Sequence, residues 1–138
     1  MNSSVMNENS ALPRVLLVDD NEAMLSRAAL VLRSSCTIVG TARDGRTALA
    51  AAADLSPDVI VLDISMPGMT GLEVAAALRD TGSTAAVIFL TVHEEEEFLT
   101  VARDAGGLGY VVKPRLSTDL VEAVREARAG RPFISPRS

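Results

Sequence analysis

Lysine is almost missing from this chain. Of thirteen basic residues only Lys113 is lysine; the others are arginine. Tryptophan is absent, and with one tyrosine and three phenylalanines the aromatic share is 3%. A core without large rings must be Ala, Val, Leu and Ile, as in sheets flanked by helices. The single cysteine, Cys36, excludes a disulfide framework or a cysteine metal site; it reads as a small buried hydrophobe in a strand. No apolar run approaches the length of a membrane span. Residues 1–12 are polar and rich in Asn and Ser, without the basic start and apolar stretch of a signal peptide, so they read as a disordered lead-in and the protein as cytoplasmic. Positive charge is short too. A net charge of −5 and a pI near 4.8 argue against nucleic-acid binding by this stretch itself.

What is present is periodic. The 138 residues fit one domain with a proper core. Short apolar runs at Arg14–Val18, Cys36–Ala42, Asp58–Leu62, Ala85–Leu90 and Leu108–Val112 read as strands. Three of them are continuously apolar, as expected for strands buried on both faces of a parallel sheet. The more mixed run at Cys36 suits an edge. Between the strands lie helical stripes: Leu25, Ala28, Ala29 and Leu32; Phe98, Val101, Ala102 and Ala105; Leu120, Ala123, Val124 and Ala127. Helices near Gly45–Leu55 and Gly71–Asp80 complete a (βα)5 alternation. This predicts an α/β three-layer sandwich: a five-stranded parallel sheet, right-handed crossovers, and helices on both faces.

Open α/β sheets bind ligands outside the carboxyl ends of their strands. Strand 1 leaves through Asp19-Asp20, strand 3 ends in Asp63, strand 4 in Thr91 and strand 5 in Lys113. In the strand order 2-1-3-4-5, one common doubly wound arrangement, those four strands are neighbours. Adjacent strands are about 4.8 Å apart, so Asp20 and Asp63 come close. Two carboxylates about 4 Å apart repel by roughly 4 kcal/mol at an effective dielectric near 20. Either one stays protonated or a cation sits between them. Three acids favour the cation, and an oxygen-only donor set points to Mg²⁺. Lys113 spans two strands on a flexible stem and carries a compact charge that arginine does not offer. A carboxylate beside Mg²⁺, a lysine and the Thr91 hydroxyl is the equipment for an aspartyl-phosphate, with Asp63 as nucleophile.

These residues, in order, are Asp19-Asp20 after Val15-Leu16-Leu17-Val18; Asp63-Ile64-Ser65-Met66-Pro67-Gly68-Met69 with Gly71; Thr91; and Gly109-Tyr110-Val111-Val112-Lys113-Pro114. The set resembles the response-regulator receiver domains of two-component signalling, which are chemotaxis-receiver-like with a flavodoxin-like fold. The resemblance spans about residues 13–130. It implies that Asp63 is the phosphoacceptor for a histidine kinase. It implies that Asp20, Asp63 and the Ser65 backbone carbonyl bind Mg²⁺ directly, with Asp19 acting mainly through water. Thr91 and Lys113 would bind phosphoryl oxygens, Tyr110 would be the switch aromatic, and Ser65 and His93 would tune dephosphorylation. The Lys113–Pro114 bond is expected to be cis. Gly107-Leu108-Gly109-Tyr110 and the ending Ala129 to Pro136 resemble the NarL/FixJ-type transcriptional regulators. On that likeness, residues 131–138 begin a linker or tail, and DNA is reached only through an effector domain not in this chain. The alternative is a stand-alone receiver acting on protein partners. A homodimer through helices 1 and 5, or output through helix 4, strand 5 and helix 5, would follow by the same analogy. Two departures stand out: Val92 where a small residue is usual, which would narrow access to the phosphate, and Gly107 in place of alanine, which would loosen the turn into strand 5.

Plainer readings exist for each residue alone. Asp19-Asp20-Asn21-Glu22 fits a strand exit and helix N-cap. Thr91 fits a helix cap, Lys113 a solvated cation and Tyr110 core filling. Glu94–Glu97 reads as a solvated first helical turn that suits the helix dipole, with His93 exposed near it. Three functions compete: a phosphorylatable switch without turnover of an external substrate, a Mg²⁺-dependent aspartyl phosphohydrolase, and an unphosphorylated scaffold. The hydrolase reading is weakened by Ser65, which stands where a second acid is usual.

Overall fold

A computed structural model describes residues 11–136. Most of the expected disordered lead at 1–12 lies outside the described residues, as do residues 137–138. The elements are β1 (Arg14–Val18), α1 (Glu22–Leu32), β2 (Thr37–Ala42), α2 (Gly45–Leu55), β3 (Val59–Asp63), α3 (Gly71–Asp80), β4 (Ala86–Thr91), α4 (Glu96–Asp104), β5 (Gly109–Val112), a 3-10 turn (Lys113–Arg115), α5 (Leu116–Arg128) and β6 (Phe133–Ile134). All strands pair in parallel, in the order β2-β1-β3-β4-β5-β6. This is the expected doubly wound arrangement with one short strand added. No helix among the described residues is long and apolar enough to cross a membrane.

Alternation along the strands sorts the core into two layers. Leu16, Val18, Ile60, Leu62 and Phe89 face α2, α3 and α4, meeting Ala48, Val74, Leu78, Leu99 and Ala102. Val15, Leu17, Val59, Val61, Ile88 and Val111 face α1 and α5, meeting Leu25, Leu32, Leu120 and Val124. Small side chains suffice because both faces are covered. Cys36 is buried one residue before β2, and burial pushes its thiol up against the pull of Arg125 and Arg128.

Three expectations need correction. The stripe on α4 is out of phase: Leu99 and Ala102 are buried while Val101 is 47% exposed. Phe98 is only partly buried: it packs at the margin of the core, its ring stacked on His93 with centroids 4.0 Å apart. No peptide bond among the described residues is cis. Lys113–Pro114 is trans, the intrinsically favoured isomer, and Pro114 stands in the first turn of a helical segment, where no amide donor is needed. After α5 the chain adds one short strand, β6, which pairs with β5. Finally, Gly107 makes room rather than loosening a turn. An ideal Cβ there would lie 2.5 Å from Cε2 of Phe89.

Candidate functional site

The carboxyl ends of β1, β3, β4 and β5 form one rim. Asp63 is the last residue of β3 and pairs in register with Leu90; Thr91, one step on, pairs with Val112, and Lys113 follows. The structure therefore stands Thr91 on the strand between Asp63 and Lys113. Asp19 and Asp20 leave β1 beside them. The carboxylates of Asp19, Asp20 and Asp63 each place an oxygen within 4.8 Å of the others.

Local chemistry fixes these positions. Asn21 donates its amide hydrogen to Asp19 Oδ1 at 2.9 Å and caps α1 by accepting from the Met24 amide. Ser65 donates its amide hydrogen to Asp63 Oδ1 at 3.2 Å. The loop after β3 closes when the Gly71 amide donates to the Ile64 carbonyl at 2.8 Å. Thr70 and Glu73 then form a reciprocal capping box at the start of α3.

Asp19 and Asp63 are each 3% exposed. The Lys113 Nζ lies 3.3 Å from Asp19 Oδ2 and 3.5 Å from Asp63 Oδ1. One ammonium does not neutralise two buried carboxylates. Burial first, then the charge of Asp19, pushes the Asp63 carboxyl up to about 7; Lys113 and the Ser65 amide pull it down without cancelling. Asp19 Oδ2 is buried and has no hydrogen bond, its contact with Lys113 lacking hydrogen-bond alignment. An orphaned carboxylate oxygen inside a three-acid, oxygen-only cluster suits a hard divalent cation.

The surroundings of Thr91 and Tyr110 are also tied in place. Thr91 is buried, and its Oγ1 accepts the His93 amide hydrogen at 3.1 Å. Tyr110 is buried, its hydroxyl donating to the His93 carbonyl at 3.0 Å. His93 Nδ1 is 3.7 Å from Glu95 Oε1, and Val92 points outward, well exposed. Ser65 is exposed beside the rim. Strand periodicity gave no hint of Ser135. It is 1% exposed, and its hydroxyl bonds both the Val112 amide and Asp119. A cavity of about 880 Å³ lies elsewhere, at the amino ends of the strands beside Asp58, Ala86 and Leu108.

A doubly wound parallel sheet with buried acids and one lysine on its carboxyl rim defines a receiver-type protein. Residues 15–125 match the response regulator receiver domain, and the chain belongs to that family. The response regulator GacA of Pseudomonas viridiflava is 36% identical over 126 residues, covering 90% of this chain and 59% of that protein. The nitrate/nitrite response regulator protein NarL of Escherichia coli (strain K12) is 32% identical over 123 residues, covering 88% of this chain and 57% of that protein. The chain thus spans under two thirds of these curated relatives. Among solved structures, the signal receiver domain of the putative response regulator NarL from Mycobacterium tuberculosis is 33% identical with a TM-score of 0.84, over 88% of this chain and 99% of that one. A two-component response regulator of the LuxR family from Aurantimonas sp. SI85-9A1 is 30% identical with a TM-score of 0.85, over 91% of each chain.

Proposed function

We propose that this chain is a phosphorylatable switch: Asp63 accepts a phosphoryl group from a histidine kinase and the change of state controls an output. The observation that carries this is Lys113 held against both Asp63 and Asp19 on one buried rim. An Asp63 carboxylate oxygen attacks phosphorus as the phosphorus–nitrogen bond of a phosphohistidine breaks, the electron pair leaving with the imidazole nitrogen. Lys113 and Thr91 meet the phosphoryl oxygens. Mg²⁺ would be held by Asp20, Asp63 and the Ser65 carbonyl, with Asp19 acting mainly through water, and would supply positive charge that lets dianion and carboxylates coexist. Tyr110 reads the movement of Thr91, and Ser65 and His93 set how easily water reaches the acyl phosphate.

The receiver unit is residues 13–130. The likeness to GacA and NarL supports transcription as the output, through an effector domain outside this chain, with DNA contacted only there. A cytoplasmic location, a histidine kinase partner and a homodimer fit the same reading. The test is acetyl phosphate with Mg²⁺, read by intact mass. The parent is expected to gain one phosphoryl group, and Asp63→Asn none; labelling that persists in Asp63→Asn would refute the assignment. Sustained hydrolysis of phosphate monoesters would instead favour the hydrolase reading.

A further inference from the structure

We infer that Ser135, acting through Asp119, is a positioning residue for Lys113, so that the strand after α5 completes the phosphoryl site. This rests on reading Lys113 as a phosphoryl ligand. Lys113 stands where β5 gives way to a single 3-10 turn. Both of its flanks are tied to one carboxylate. On the amino side, the buried Val112 amide donates to Ser135 Oγ at 3.2 Å, and that hydroxyl donates on to Asp119 Oδ2 at 2.7 Å. On the carboxyl side, Arg115 clasps the same carboxylate with both prongs, Nε to Oδ2 at 2.7 Å and NH2 to Oδ1 at 3.1 Å.

The chain around Lys113 is thus cinched to Asp119 from both directions, at Val112 and at Arg115. Asp119 is buried in the first turn of α5, and Arg115, aided by Ser135 against the cost of burial, holds its carboxyl below the ordinary range. Ser135 reaches the clamp because β6 delivers it. Phe133 and Ile134 pair with Gly109 and Tyr110, and the Ser135 amide donates to the Tyr110 carbonyl at 2.8 Å. An Arg131–Glu126 ion pair at 2.6 Å anchors the entry to this strand. Ser135 lies beyond the 15–125 family match, so the clamp recruits a residue from outside it.

Removing the hydroxyl strands a buried amide, and a peptide that must turn to find water carries Lys113 with it. Lys113 is no Mg²⁺ ligand, and its ammonium competes with a cation for Asp19 and Asp63, so its misplacement impairs phosphoryl binding without weakening Mg²⁺ binding. That difference is the readout. Full-length protein is titrated with Mg²⁺ alone, then with beryllofluoride at saturating Mg²⁺, following amide resonances. Ser135→Ala is expected to weaken beryllofluoride about tenfold, to keep Mg²⁺ affinity at or above that of the parent, and to be rescued by Ser135→Thr. Asp119→Asn, which keeps the shape but loses the charge, is expected to show the same split and serves if Ser135→Ala does not fold. Unchanged beryllofluoride affinity in both variants, or an equal loss of both ligands, overturns the inference. Lys113→Ala separates the two readings. If it binds beryllofluoride normally, the role of Lys113 itself fails; if it loses binding while Ser135→Ala does not, only the positioning role fails.

Discussion

An ideal Cβ on Gly71 would lie 2.1 Å from the carbonyl oxygen of Asp63. The start of α3 and the end of β3 therefore touch through bare backbone, and any side chain at position 71 must push Asp63. Gly71→Ala is expected to cost about 1–3 kcal/mol by overpacking and to weaken Mg²⁺ binding as well, because the atom displaced belongs to Asp63. Urea unfolding and a Mg²⁺ titration check both. A variant of parental stability and affinity would mean that the loop yields without moving the carboxylate.

The second expectation concerns the Tyr110 hydroxyl and the His93 carbonyl. Tyr110→Phe keeps the ring that fills the space between β5 and α4 but deletes the bond, a loss of about 0.5–1.5 kcal/mol. Amide exchange should accelerate through 92–95 and hardly change in β1 or β3. A uniform change across the sheet would point to global destabilisation instead.

Acidity gives a third. Asp63 is raised from the ordinary carboxyl value to about 7. The native state therefore holds this proton more tightly than the unfolded chain, and stability is lost as pH rises from about 4 to 7, then levels off. In chelator, Asp63→Asn should match the parent near pH 4 and become progressively more stable than it up to about pH 7. Added Mg²⁺ should close that gap by stabilising the parent. Chemical denaturation across this pH range decides it; a gap that opens as pH falls would reverse the sign.

Lys113→Arg is the fourth. The fold should survive within about 1 kcal/mol, since Lys113 is at the rim. Switching should fail, because a broad planar fork does not fit between two carboxylates now 3.3 and 3.5 Å from a compact ammonium. Beryllofluoride with Mg²⁺ should no longer perturb Tyr110; a parental response would remove the rationale for lysine.

The doubly wound sheet was legible because strands buried on both faces write themselves as unbroken runs such as Val15–Val18 and Val59–Leu62, and its functional rim because each run stops at a charged or hydroxyl residue. Boundaries slipped by one: Asp63 and Thr91 are inside β3 and β4 rather than beyond them. The face of α4 was misread because Phe98 and Leu99 are adjacent apolar residues and periodicity cannot say which turns inward. Here Leu99 is buried and Phe98 stacks on His93. Two paired residues are too few to show an alternation, so β6 left no pattern to read. Ser135 was equally silent, since a hydroxyl buried by tertiary contact has no local signature.

Tyr110 carries one last consequence. It is the chain's sole tyrosine, tryptophan is absent, and its hydroxyl is bonded to the carbonyl of a residue two positions beyond Thr91. Excited beyond the absorption of its three phenylalanines, the chain therefore emits from one ring, with no indole to quench or mask it. The molecule carries its own single-site optical reporter, placed where a change at the rim would be felt.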